Sequence, residues 1–239
     1  MNLFIMIFSL ITTLLVAANG TAQERNMPPV EAFVKARNFH GMRYDLAKRY
    51  GAEDVAQLAE LLKDEDANPY WANAVWLLGI IGTAEAEEAI IDFRENRFKG
   101  TVEGPVLQAL LMVSQALGFR ANDSDSKAFR YLVDSTNLQA LRERNLKWTG
   151  AGWEDGSREL LLAKLSVNGL GLAGNAAGRD HLERLARSLP DTNAELWRVL
   201  KPNVTEALEL SRRIEQDGYE QVLAPQGVLQ PRPRPRSKE

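Results

Sequence analysis

Three glycines recur at one structural position along this chain and constrain it more than any other feature. Gly79, Gly118 and Gly171 each close an apolar stretch, in Leu78-Gly79, Leu117-Gly118 and Gly169-Leu170-Gly171. Eleven and fourteen residues after each glycine stand large apolar residues: Ile90 and Phe93, Phe129 and Leu132, Leu182 and Leu185. Self-similarity at this period marks stacked helix pairs, none able to bury its apolar face without the next. The pattern predicts an all-α chain.

A second register runs beside the first. Val55, Ala59 and Leu62 lie four, eight and eleven residues beyond Gly51, and Ala86, Ile90 and Phe93 hold the same offsets from Gly82. Gly178, Leu182 and Leu185 repeat them from Gly174, whereas the remaining copy has Ala121 in place of glycine and keeps Phe129 and Leu132. These stripes predict the first helix of each pair. The second helices fall at about 70–81, 106–117 and 157–172, each ending on a marker glycine. There a residue can take a left-handed conformation or let a neighbour approach closely. The marker glycines are 39 and then 53 residues apart, so the third unit carries an insertion of 14 between Asp134 and Gly156.

The quoted residues resemble a known repeat. Leu61-Leu62-Lys63-Asp64-Glu65-Asp66, followed by Ala74-Val75-Trp76-Leu77-Leu78-Gly79-Ile80-Ile81-Gly82 and by Ala86, Ala89 and Ile90, resembles a HEAT repeat of the short, phycobilisome-lyase-like type. The likeness is good over residues 55–96 and fainter over 51–189; Trp71 stands where that repeat usually has arginine. The resemblance implies an α-solenoid, a right-handed superhelix of helical hairpins, serving as a scaffold or binding surface. It implies no reaction, because the shared residues are packing residues.

The layout that follows has repeats at 51–189, with the insertion at 134–156, between two caps. Residues 23–50, opened by Met27-Pro28-Pro29, form an N-terminal helical cap of one or two short helices. Residues 190–223 form C-terminal capping helices. The chain is expected to turn at Pro190-Asp191-Thr192-Asn193 and to break again at Lys201-Pro202, with Asn203 or Thr205 capping the last helix.

The chain ends differ in kind from this body. Leu3 to Ala18 is an uncharged, nearly unbroken apolar run followed by small residues up to Ala22, which reads as a signal peptide over 1–22 cleaved before Gln23. The run is short against the ~20 residues of a spanning helix, and no cation precedes it, so a retained anchor is the competing reading. Residues 224–239 form a low-complexity tail ending in alternating proline and arginine, composed for an extended or disordered state. The net charge of −3 divides into +3 on residues 231–239 and −6 on the rest, which argues against nucleic acid as a partner. With no cysteine and only His40 and His181, the chain has neither disulfides nor the ligands of an ordinary zinc site, and no cofactor is expected.

Sharper chemical motifs fail on context. Gly169-Leu170-Gly171-Leu172-Ala173-Gly174 satisfies G-x-G-x-x-G, but a helical segment precedes it where dinucleotide binding needs a strand. His181 has Asp180 and Glu183 beside it, yet adjacent helical positions do not face one another. No catalytic residue is assigned. The better lead comes from superposing the repeats: Trp76, Gln115 and Asn168 each lie three residues before a marker glycine, at equivalent places on successive second helices. Such places line the concave wall of a solenoid, where an aromatic with amide neighbours suits a peptide or glycan. Trp148 and Trp153, in the glycine-rich insertion, are a second candidate contact, or else a cover over an apolar edge. The expected function is an exported, periplasmic or extracellular, non-enzymatic scaffold presenting a concave helical surface to a protein, peptide or glycan. The alternatives are an envelope hydrolase or its accessory subunit, and a membrane-anchored structural protein.

Overall fold

The structure, a computed structural model, describes residues 27–36 and 42–223. The expected signal segment 1–22, His40 and the tail 224–239 lie outside the described residues. The protein is mostly helical. In chain order the elements are α1 (Val30–Lys35), α2 (Tyr44–Ala47), α3 (Ala52–Leu61), a 3-10 turn (Glu65–Tyr70), α4 (Trp71–Ile81) and α5 (Ala84–Asn96). There follow β1 (Gly100–Val102), α6 (Gly104–Arg120), α7 (Lys127–Asp134), α8 (Leu138–Glu143) and β2 (Trp148–Gly150). The last three are α9 (Ser157–Ala173), α10 (Ala176–Thr192) and α11 (Ala194–Leu223). Among the described residues no helix is long and apolar enough to cross a membrane.

Local chemistry explains the helix limits. Thr83, Ser126 and Asn175 each accept the backbone N–H three residues on, at 3.2, 3.1 and 2.8 Å, satisfying one of the orphan donors at the starts of α5, α7 and α10. α4 and α9 stop at Gly82 and Gly174, whose φ values of 65° and 63° glycine adopts without steric cost.

α4, α6, α9 and α11 pack side by side in that order, while α5, α7 and α10 each bridge two consecutive members of this row. The marker glycines set the spacing. A Cβ on Gly79 would lie 2.5 Å from the Ala116 Cα, one on Gly118 would lie 2.7 Å from the Gly169 carbonyl, and one on Gly171 would lie 2.7 Å from the Ala207 Cα. Neither Gly79, Gly118 nor Gly171 has a positive φ, so of their two expected roles it is close approach that they serve. The helices thus meet almost backbone to backbone, with Leu77, Leu110, Val113, Leu117, Val167 and Leu170 buried around the crossings.

The stripes are placed as expected in α5 and largely so in α10, where Ala86, Ile90, Phe93 and Leu182 are buried and Leu185 is half-buried. Elsewhere Val55, Leu62 and Leu132 are buried as expected and only the middle position of the stripe slips by one residue. Leu58 is buried and Ala59 only half so; Ala128 and Leu132 face the core while Phe129 is half-exposed. The loop before α7 has its own turn and its own cap at Ser126, so counting from Gly118 finds Leu132 but puts Phe129 in the place that Ala128 takes.

The C-terminal region departs further. α10 runs on to Thr192, and the turn is narrowed to Asn193, whose side-chain oxygen accepts the Leu196 N–H at 3.0 Å. α11 continues through Pro202. Leu200, Val204, Ala207, Ser211 and Ile214 are all buried and recur every three to four residues, so one apolar stripe spans the proline. Pro202 is exposed, so the carbonyl it leaves unbonded faces solvent and the cost is bearable. Asn203 and Thr205 therefore sit inside a helix and cap nothing; the Thr205 hydroxyl donates back to the Lys201 carbonyl at 3.0 Å.

The insertion holds α8 and a strand absent from the sequence expectation. β2 pairs in parallel with β1, Gly100 opposite Trp148 and Val102 opposite Gly150, tying the inserted segment to the α5–α6 connection. Two layers of ionic and aromatic contact join the bridging helices. Glu87 of α5, 4% exposed, accepts the Ala128 N–H at the start of α7, with Arg120 Nε at 3.8 Å. Arg94 is buried; its Nη1 donates to Ser114 Oγ at 3.4 Å and its guanidinium lies 5.1 Å from the Tyr131 ring, with Arg144 at 4.0 Å from the same ring. The Tyr131 hydroxyl donates to Glu95, and burial pushes that phenol up to about 12.

Candidate functional site

Trp76, Gln115 and Asn168 line a single cavity of about 390 Å³. Each sits one turn before a glycine contact, on α4, α6 and α9, so the backbone-to-backbone packing that the glycines permit brings the three within one opening. Trp76 and Asn168 are half-buried and Gln115 is exposed. Gln115 makes no side-chain hydrogen bond among the described residues, and Asn168 Oδ1 accepts from Asn203 Nδ2 at 3.2 Å. Both amides keep hydrogen-bonding capacity at the cavity wall.

The rest of the wall is chiefly apolar. Phe119 stands edge-on to Trp76, ring centroids 6.0 Å apart, and Leu172, Leu210 and Leu223 complete the lining with Ala207. Glu206 is the one charged residue among those that line it. Phe119 also touches Tyr219 at 5.5 Å and Tyr44 at 5.9 Å, so aromatic rings from α2, α4, α6 and α11 form a cluster at one end. The Tyr219 hydroxyl shares its one proton between the carbonyls of Leu172 at 2.8 Å and Ala173 at 3.1 Å, at the end of α9; the Ala173 carbonyl also accepts from Asn122 Nδ2 at 2.8 Å. Burial raises the Tyr219 phenol far above its usual range.

Phe119 follows Gln115 by four residues, so helical spacing alone puts it on the same face. Tyr44, Tyr219 and Leu223 come from the two extremes of the described chain, and no local pattern points to them.

The second candidate pair divides. Trp148 is 1% exposed: its ring packs 6.4 Å from Trp153 and carries the Arg158 guanidinium, which also donates to the Leu146 carbonyl at 2.8 Å. It therefore cannot touch a partner; its role is to close the apolar edge of the insertion. Trp153 lies flat on Gly150, where a Cβ would come 2.2 Å from its ring, and remains half-exposed. It lines a different opening, with Arg142, Glu154 and Asp155, and does not join the Trp76 cavity.

His181 lies in a further groove of about 580 Å³ between α7–α8 and α10–α11, walled by Leu138, Leu185, Leu189 and Leu196. The Thr136 hydroxyl donates to the Val133 carbonyl at 2.7 Å, which leaves its oxygen to accept from His181 Nε2 at 3.0 Å. An Nε2 that donates cannot take the proton of that hydroxyl, so this pair is not an activated nucleophile. Burial, with the Arg184 charge, holds the imidazole down to about 4. Among the described residues no group of histidine and carboxylate side chains could hold a metal ion. The Gly169–Gly174 run forms the end of α9 and its glycine cap, with helix rather than strand before it. No family model matches the chain, and neither does any curated protein or solved structure.

Proposed function

We propose that this chain is an exported, non-enzymatic binding protein, an α-solenoid of HEAT-like hairpins that captures a segment of another protein in the Trp76 cavity. One observation carries the reading: three residues at equivalent repeat positions, Trp76, Gln115 and Asn168, line one opening. Six of the nine lining residues are apolar, which favours a peptide segment with apolar side chains over a glycan, whose hydroxyls need more polar partners than two amides and Glu206 supply. The amides suit the main chain of such a segment, and Trp76 and Phe119 give it rings to pack on. Export rests on the apolar run at Leu3–Ala18 and on an N-terminus expected at Gln23, which intact-mass measurement of the secreted chain reads directly.

The binding test is peptide display against the full chain, with a glycan panel in parallel. Selected peptides should lose at least about ten-fold in affinity, about 1.4 kcal/mol, on Trp76→Ala and on Gln115→Arg, with melting temperature and circular dichroism preserved. Peptides that bind both variants as tightly as the parent refute the site. Glycan binding lost in the same variants would keep the site and replace the ligand class.

A further inference from the structure

The last described turn of the chain lies against the candidate cavity. At Gly218 the backbone takes φ 77° and ψ 163°, a combination that glycine alone adopts readily, and leaves the axis of α11. Five residues follow. The Tyr219 ring sits against Phe119 and Tyr44, its hydroxyl on the last carbonyls of α9, and Leu223, one helical turn further, lines the cavity beside Trp76. Glu220 pairs with Lys48, next to α2, which fastens the segment from its other side.

We propose that Tyr219–Leu223 is a built-in occupant of this surface, and that the partner is a helical segment with an aromatic residue and a leucine four positions later, which takes its place. The proposal rests on the binding reading above and names its ligand. The chemistry is that of the segment already seated: a ring for the Phe119 cluster, a hydroxyl donor for the Leu172 carbonyl, and an aliphatic side chain one turn on for the cavity. An occupant on the same chain acts at an effective concentration in the millimolar range, so it competes with any partner and lowers apparent affinity by the fraction of time the surface is covered. The segment can leave its seat: its hinge is a glycine with nothing close to where a Cβ would stand, and it is held by one shared hydroxyl proton, the ring contacts with Phe119 and Tyr44, and one exposed ion pair.

The test uses the full chain and a fluorescent synthetic peptide of residues 215–223. Fluorescence anisotropy should give binding at least ten-fold tighter to the Tyr219→Ala/Leu223→Ala chain than to the parent, and adding Gln115→Arg should abolish it. Equal affinity for parent and double variant, binding that survives Gln115→Arg, or no binding to any chain overturns the proposal. A second measurement avoids any loss of fold in the double variant. The chain has no cysteine, so Gln221→Cys carries a single bimane dye, whose emission tryptophan quenches on contact, and Trp76 lines the cavity that Leu223 also lines. Excess unlabelled peptide should raise its emission at least two-fold; unchanged emission while the peptide is bound overturns the strap. Display-selected peptides that still need Trp76 would then leave the binding reading standing.

Discussion

Where α4 meets α6 the chain brings two backbones together over a missing side chain; where α5 meets α7 it buries a carboxylate. The inner row of α4, α6, α9 and α11 is joined at Gly79, Gly118 and Gly171, contacts made of close approach and apolar packing. The bridging helices are joined by Glu87 at the N-terminus of α7, by Arg94 and Arg144 against Tyr131, and by ion pairs such as Lys127–Glu88. Each kind of contact suits its place. Close packing fixes helix spacing to within a methyl group and so defines a cavity wall. Charged and aromatic contacts fix orientation while tolerating variable length, which is why the enlarged third unit, with α8 and β2, is accommodated on the bridging side.

The inner row is most sensitive at Gly79. Gly79→Ala puts a Cβ 2.5 Å from both the Cα and the carbonyl oxygen of Ala116, backbone atoms that cannot turn aside. In an exposed helix this exchange stabilises by about 1 kcal/mol; here a loss of about 3 kcal/mol or more is expected from overpacking, lowering the melting temperature by about 6–12 °C. A melting temperature at or above the parent's would show that the inner row yields and that close approach does not hold it.

Glu87→Ala tests the other side. It leaves the Ala128 N–H without its acceptor and removes the carboxylate beside Arg120, for an expected loss of about 2 kcal/mol by urea unfolding. A change under about 0.5 kcal/mol would place the bridging helices under apolar control after all.

The next effect concerns pH. The folded His181 imidazole titrates at about 4 against 6.5 for an ordinary histidine, so between these values the unfolded chain binds a proton that the native chain does not. Stability therefore falls as pH drops from 6.5 toward 4 and is flat above 7 with respect to this group. After discounting for its partial exposure the expected loss is about 1 kcal/mol by pH 5. Urea unfolding of parent and His181→Gln at pH 7 and 5 isolates it: an identical pH slope in both chains refutes the assignment.

The smallest effect is Lys127→Ala. Both partners of the Lys127–Glu88 pair are largely exposed, so the melting temperature should stay within the scatter of replicate scans of the parent and any difference should vanish in high salt. A larger, salt-resistant loss would mean that surface charge contributes to the bridging contacts as buried charge does.

Much of the inner row was legible because its requirement is local. A helix can pass another at backbone distance only where a side chain is missing, so Gly79, Gly118 and Gly171 stand out, and a constant offset from them finds Trp76, Gln115 and Asn168. The bridging helices were less legible because their phase depends on the loop before each one. Ala59 and Phe129 were expected inside on a count from Gly51 and Gly118, whereas Leu58 and Ala128 take those places. Trp148 and Trp153 show the same limit: both stand in a glycine-rich stretch, but only pairing of β2 with β1 and the Arg158 contact decide that Trp148 turns inward.

Composition and periodicity were enough for a helical chain, for the identity of its contact glycines and for three of the cavity's residues, since these follow from steric rules acting within one or two turns. Packing over long separations settled the rest. It carried α11 through Pro202 on a stripe of buried residues, returned Tyr219 to the end of α9 and set Leu223 beside Trp76. Those outcomes depend on which surfaces remain unburied once the other helices are in place, and no stretch of sequence encodes that balance alone.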